Sequence, residues 1–304
     1  MSIIQVTDLT FCYDGSYDNI FENVSFQLDT DWRLGLIGRN GRGKTTLLRL
    51  LQGKYAYQGT IHASVGFDYF PYTVPDPSQY PIDLLQSVCP DVPQWRFLRE
   101  LAPLELPEEL LYRPFSTLSG GEQSKILLAM LFSRENRFLL IDEPTNHLDQ
   151  AGRALVSRYL SGKKGFLLVS HDRAFLDGCV DHICSINRSG IEIQKGNYSS
   201  WYENKLRQDS FELAQNTRLK KEIGRLKEAA RQSSAWADKV ESTKLGANSA
   251  KVKGTADAMG GRAYIGEQSR RMQQRRKNLE RRQQNAIEEK SALLKNIDSS
   301  DPLK

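Results

Sequence analysis

Residues 34–51 read Leu34-Gly-Leu-Ile-Gly-Arg-Asn-Gly-Arg-Gly-Lys-Thr-Thr-Leu-Leu-Arg-Leu-Leu51, and this stretch decides the fold. Leu34 to Ile37 is an apolar run of strand length, Gly38 to Thr45 fits the pattern G-x-x-x-x-G-K-[ST], and Thr46 to Leu51 continues as a helical run. A strand that turns through glycines into a helix N-terminus makes an anion cradle. Gly38, Gly41 and Gly43 let the backbone wrap a phosphate, the first N–H groups of the helix stabilise negative charge, Lys44 reaches the β- and γ-phosphates, and the Thr45 hydroxyl ligates Mg²⁺. Arg39, Asn40, Arg42 and Thr46 complete the candidate nucleotide-binding set.

Outward from this stretch, Val24 to Leu28, Phe138 to Ile141 and Phe166 to Val169 read as further buried strands, separated by segments of helix length. That alternation predicts an α/β domain with a mixed, largely parallel central sheet. The proline-richer segment from Pro71 to Arg113 reads as a small helical subdomain. After Trp201 the composition changes to Lys, Arg, Glu, Gln and Ala, so the chain divides into a nucleotide-binding domain over 1–201 and a helical region over 202–304. Two long helices are expected there, Tyr202 to Val240 and Ser269 to Ile297, joined as an antiparallel hairpin by a glycine-containing loop over about 241–268. In the first, Phe211, Leu219, Ile223, Leu226 and Ala230 form a narrow apolar stripe. A helix of that length would extend on the order of 50 Å.

Charge is unevenly placed. Residues 204–304 carry 23 Lys+Arg against 13 Asp+Glu, which is +10, and the remainder carries 19 against 24, which is −5. A basic module beside a mildly acidic domain points to a polyanionic partner such as nucleic acid, against the plainer reading of a solvated helix pair. Cys12, Cys89, Cys179 and Cys184 form no C-x-x-C pair and no zinc spacing, so reduced thiols and a cytoplasmic setting are expected. No apolar run approaches the roughly 20 residues that span a bilayer, so no membrane partner is expected.

Two further blocks carry chemistry. Leu118-Ser-Gly-Gly-Glu122 opens a helical run, with Ser119 and Glu122 spaced as a capping box, while Gly120 and Gly121 leave the helix N-terminus open to an anion. Some 20 residues on, Phe138-Leu-Leu-Ile-Asp-Glu-Pro-Thr145 is a strand ending in two carboxylates. Asp142 is assigned to the metal and Glu143 to the attacking water as base.

With these blocks in order, the first 200 residues resemble the ABC ATPase superfamily, with ATP and Mg²⁺ as the implied cofactors. Asn146-His-Leu-Asp149 resembles its D-loop. Ser170-His-Asp172 resembles its switch, which implies that His171 contacts the γ-phosphate, and Tyr13 resembles the aromatic that stacks on adenine. One departure stands out: where the superfamily usually has a glutamine touching Mg²⁺ and the lytic water, Tyr69-Phe-Pro-Tyr72 places Tyr72, which implies altered metal contact and slow hydrolysis unless Gln79 substitutes. In this superfamily ATP lies between the phosphate cradle of one domain and the Ser119–Glu122 motif of another. With one copy of each, the chain is expected to be half of a two-domain protein and to need a second ABC domain in cis or as a homodimer.

Gly41-Arg-Gly-Lys-Thr-Thr46, Glu122 in the signature, Asp142-Glu-Pro-Thr-Asn-His-Leu-Asp149 and Gly196-Asn-Tyr-Ser199 ahead of a charged helix resemble the ABC-F family. That resemblance implies a helical linker directed at the P-site tRNA of the ribosome, with rRNA and tRNA as partners. Within the family the Trp32 to Lys44 run and the long loop are similar to Lsa-type resistance proteins, linked to lincosamides, pleuromutilins and streptogramin A. The loop tip, with Met259, Arg262 and Tyr264, would then approach the peptidyl-transferase region. The competing readings are an ATPase subunit of a transporter, which gives the basic hairpin no role, and a nucleotide-binding fragment without turnover. A DNA-repair ATPase would split the domain with its arm instead of following it.

Overall fold

The computed structural model describes residues 2–16, 18–187 and 190–248, with Gln274, Lys277, Asn278, Arg281, Arg282, residues 284–286 and Glu288 beyond them; side chains at 230 and 233–248 lie outside the description. One compact unit ends at Asn204 and a second begins at Lys205.

The first unit is α/β, with two sheets. β1 (Ile3–Phe11), β2 (Phe21–Asp29) and β4 (Gln58–His62) form an antiparallel sheet in the order β2-β1-β4. β1 alternates apolar-in and polar-out except at a bulge, where Asp8 takes φ 51° and its N–H donates to Ser25 Oγ at 2.8 Å. The central sheet runs β5 (Gly66–Phe70), β6 (Arg137–Asp142), β7 (Phe166–Val169), β3 (Arg33–Ile37), β8 (His182–Asn187) and β9 (Gly190–Lys195). Its first five strands are parallel and β9 closes the edge antiparallel to β8.

The central strands read as continuous apolar runs because both of their faces are covered. Leu34, Leu36, Phe138, Leu140, Leu167 and Val169 pack against the antiparallel sheet and helix α1 (Lys44–Leu51). The alternate residues, Ile37, Leu139, Ile141, Phe166 and Leu168, face the second cluster with helices α4 (Gly120–Phe132), α5 (Gln150–Ser161) and α6 (Arg173–Cys179). That second cluster also takes in the predicted helical subdomain, whose helices α2 (Pro81–Val88) and α3 (Gln94–Leu101) bury Leu84, Leu85, Phe97 and Leu101. Buried Glu100 of α3 accepts from the Tyr159 hydroxyl of α5 at 2.8 Å and pairs with Lys163. The four thiols are free, with Cys12 exposed and the other three buried.

Helix α7 (Tyr198–Asn248) differs from expectation at both ends. It starts four residues before Tyr202, because Asn197 Oδ1 caps the Ser200 N–H at 3.1 Å and Asp177 Oδ1 accepts the Ser199 N–H at 2.7 Å. It also runs through Glu241–Asn248, which the sequence reading placed in the loop; a single Gly246 costs about 1 kcal/mol, too little to end a helix. Its 51 residues correspond to about 75 Å.

The stripe on α7 is corrected as well. Phe211 is 63% exposed, whereas the covered positions are Lys205, Asp209, Glu212, Asn216, Leu219, Ile223 and Leu226. They recur at alternating steps of four and three, the seam of a heptad, and this row passes beside Phe211. Of the expected second helix, the described residues Gln274 through Glu288 named above are helical. Met259, Arg262 and Tyr264 lie outside the described residues, as does most of the expected loop. No described helix is long and apolar enough to cross a membrane.

Candidate nucleotide and metal site

Three neighbouring strands, β3, β7 and β6, deliver their C-terminal ends to one sheet edge. Open parallel sheets place ligands at this edge because the loops there are followed by helix N-termini. β3 ends in the Gly38–Thr45 loop. Within it Gly41 and Gly43 adopt φ 79° and 88°, a conformation that side-chain-bearing residues rarely take. Gly43 is also where α1 begins, and a Cβ there would sit 2.6 Å from Ile20 Cγ2, so the antiparallel sheet is packed directly against the cradle. Arg42 N–H donates to Arg39 O at 3.2 Å, closing the turn over Asn40.

Lys44 folds back into this loop. Its ammonium donates to Gly38 O at 2.8 Å and to Asn40 Oδ1 at 3.3 Å. Burial holds its pKa below the ordinary lysine value, with the carboxylates of Glu143 and Asp142 working the other way. A cation held by loop carbonyls and flanked by two carboxylates is placed to exchange those acceptors for phosphate oxygens.

Beside it, Thr45 Oγ1 donates to Asp142 Oδ2 at 3.0 Å, bringing the predicted hydroxyl and carboxylate together across 97 residues of sequence. One carboxylate with one hydroxyl suits Mg²⁺, which takes few protein ligands and completes its octahedron with water and phosphate. Among the described residues no cluster of three or more His, Cys, Asp or Glu could hold a metal alone. The donor set therefore fits a metal carried with a triphosphate.

Glu143, the next residue, has φ 49° and its Oε1 is buried without a hydrogen-bond partner. His171, in the loop after β7, places Nε2 3.5 Å from that oxygen. Desolvation pushes the Glu143 carboxyl above the usual carboxylate range, opposed first by His171. A non-glycine residue in left-handed conformation is backbone strain held by its surroundings, and such strain clusters at functional sites.

Tyr13 projects from the end of β1 over the start of α1. Its hydroxyl shares a hydrogen bond with buried Thr46 at 2.8 Å, and its ring meets Phe11 and Tyr55 edge-on at 5.0 and 5.7 Å. It is 41% exposed.

Ser119, Gly120, Gly121 and Glu122 form the expected capping box at the start of α4: Ser119 N–H donates to Glu122 Oε2 at 2.8 Å and Glu122 N–H to Ser119 Oγ at 3.3 Å. The Ser119 N–H holds the Glu122 carboxyl below its ordinary value. Both glycines lie close to the next loop: a Cβ on Gly120 would sit 3.1 Å from His147 Cβ and one on Gly121 3.3 Å from His147 O, tight contacts that His147 would have to relax. Among the described residues no hydrogen bond joins this motif to Lys44, Thr45 or Asp142.

Tyr72 is partly buried against the apolar cluster that contains the helical subdomain. The residue that reaches Asp142 is Tyr69, three positions earlier on β5, whose hydroxyl donates to Oδ2 at 3.0 Å. The sequence reading missed Tyr69, although β5 lies parallel to β6 with Tyr69 opposite Leu140, two residues before Asp142. Gln79 uses its backbone carbonyl to accept the Phe115 N–H at 2.9 Å, and no hydrogen bond links its side chain to Asp142 among the described residues.

Residues 21–79 and 89–146 match the ABC transporter family. ABC transporter F family member 3 of Arabidopsis thaliana is 32% identical over 206 residues, covering 66% of this chain and 29% of that protein. ATP-binding cassette sub-family F member 3 of Homo sapiens is 33% identical, covering 57% and 25%. The Bacillus subtilis ABC transporter ATP-binding protein YkpA is 32% identical over 265 residues, covering 72% and 49%. The chain thus spans between a quarter and a half of these relatives' lengths. In fold it is similar to a metal-chelate type ABC transporter in an inward-facing conformation, with TM-score 0.53 and 24% identity over 64% of this chain and 83% of the other. It is also similar to an ATP-bound bacterial Atm1-family exporter, with TM-score 0.56 and 16% identity over 67% and 40%.

Proposed function

We propose that the chain, similar to ABC-F proteins, carries an ABC ATPase domain of that type, binds Mg²⁺–ATP against a second ABC domain and uses the closure to steer its basic helical arm on the ribosome. The observation that carries this reading is the convergence of Lys44, Thr45, Asp142, Glu143 and His171 on one sheet edge. Lys44 releases Gly38 O and Asn40 to grip the β- and γ-phosphates. Thr45 and Asp142 would hold Mg²⁺, which would supply neutralisation of phosphate charge. Glu143 takes a proton from the attacking water on its carboxylate, with His171 at the γ-phosphate, and Tyr13 stacks on adenine.

The signature residues Ser119 to Glu122 serve a partner's ATP. The likeness to ABC proteins supports a composite site made by two domains, in cis or between two copies. The arm reading rests on charge and kinship: +10 over residues 204–304 suits rRNA or tRNA phosphates, and the similarity to F-family members favours a ribosomal role over membrane transport. Protection of the peptidyl-transferase centre from lincosamides, pleuromutilins and streptogramin A is the finer form of this proposal, with Met259, Arg262 and Tyr264 at the tip.

Co-sedimentation with 70S ribosomes tests it, using the protein completed with its second ABC domain and Glu143→Gln to retain ATP. Pelleting with ATP and not with ADP is the expected result. Equal pelleting under both conditions, or none, overturns the ribosomal role.

A further inference from the structure

The Asp142 carboxylate is held from two sides. Thr45 of α1 and Tyr69 of β5 both donate to the same oxygen, Oδ2, at 3.0 Å each. Arg49, one turn further along α1, lies with its guanidinium carbon 4.1 Å from the Tyr69 ring centroid, a cation–π contact that fixes the ring which carries the hydroxyl. Tyr72 is engaged elsewhere, packed partly buried against the apolar cluster.

We propose that Tyr69 is a positioning residue for the metal carboxylate, setting the orientation in which Asp142 receives Mg²⁺ with the nucleotide. The inference rests on the ATP-site reading. When the Thr45 hydroxyl turns to the metal it leaves Oδ2, and the Tyr69 hydroxyl then keeps the carboxylate in place. β5 also leads at Phe70 directly into the segment that forms the helical subdomain, so the same hydroxyl ties the root of that subdomain to the metal site.

Tyr69→Phe removes the hydroxyl while keeping the ring and its contact with Arg49. Nucleotide affinity is measured by calorimetry on the full chain at a series of Mg²⁺ concentrations and in EDTA, with Mn²⁺ paramagnetic resonance as a direct report of metal binding. For Tyr69→Phe the expected result is unchanged affinity in EDTA and about a 10- to 100-fold rise in the Mg²⁺ concentration needed for tight binding, the effect of one lost hydrogen bond to a charged group. Tyr72→Phe should shift neither. An unchanged Mg²⁺ requirement in Tyr69→Phe, an equal loss with and without metal, or a shift in Tyr72→Phe alone would each overturn the assignment. If the unsubstituted chain binds no nucleotide, the ATP-site reading falls and this inference with it; if it binds and only the Tyr69 outcome fails, the ATP site stands.

Discussion

Strands β3, β6 and β7 and helix α7 are ordered by different means. In the strands nearly every side chain is buried, Leu34, Phe138, Leu140, Ile141, Phe166, Leu167 and Leu168 all at 0% exposure, and the loops at their ends inherit that rigidity. Along α7 the covered row contains Lys205, Asp209, Glu212 and Asn216 before it becomes apolar at Leu219 and Ile223, while Leu206, Phe211 and Leu213 stand exposed. The Lys205–Asp209 ion pair at 3.0 Å spans one turn of that row. A rigid core can hold catalytic atoms to a fraction of an ångström; a polar, heptad-spaced helix trades that precision for a charged surface.

This contrast predicts where substitutions will hurt. The largest effect is expected for Glu143→Gln in the chain paired with a second ABC domain, where ATP turnover should fall by about 10²- to 10⁴-fold while ATP binding persists. A phosphate-release assay beside a binding measurement separates the two, and turnover within threefold of the parent would remove Glu143 as the base. Next comes packing. Leu140→Ala should lower unfolding free energy by about 2–5 kcal/mol in denaturant titration, whereas Phe211→Ser should stay within about 0.5 kcal/mol. Comparable losses at both positions would erase the distinction between the two regions.

A smaller effect concerns the α4 cap. The folded-state pKa of Glu122 is lowered, so its contribution is present above the ordinary carboxylate value and lost as pH falls through the lowered one. Glu122→Ala should therefore cost about 1 kcal/mol at neutral pH, and the gap to the parent should close in acid; a gap independent of pH would contradict this. Smallest for the core is the expected effect of Lys221→Gln with Arg225→Gln, both exposed on α7. They should reduce the steepness of RNA affinity against salt by about 1 to 2 on a log–log plot and leave nucleotide affinity unchanged.

The same contrast explains what the sequence made legible. Phe166–Val169 was found to the residue, since a fully buried strand leaves an uninterrupted apolar run. The antiparallel sheet was visible only in part, at Val24 to Leu28, because β1 and β4 mix polar and apolar residues around bulges. Thr45 and Asp142 were paired from motif chemistry alone, while Tyr69, quoted beside Tyr72, was given no role because its meeting with Asp142 depends on the pairing of β5 with β6. On α7, Phe211 was misplaced since apolar character was taken as the guide where polar residues fill half the covered row. The true start at Tyr198 depended on Asp177, 22 residues away from Ser199, a contact that local sequence does not carry.

The account turns on the cradle around Lys44, and calorimetric titration of the purified chain with ATP and Mg²⁺ tests it most directly. Saturable binding that Lys44→Ala weakens by at least 100-fold is predicted. No binding, or equal binding by the Lys44→Ala protein, would contradict it.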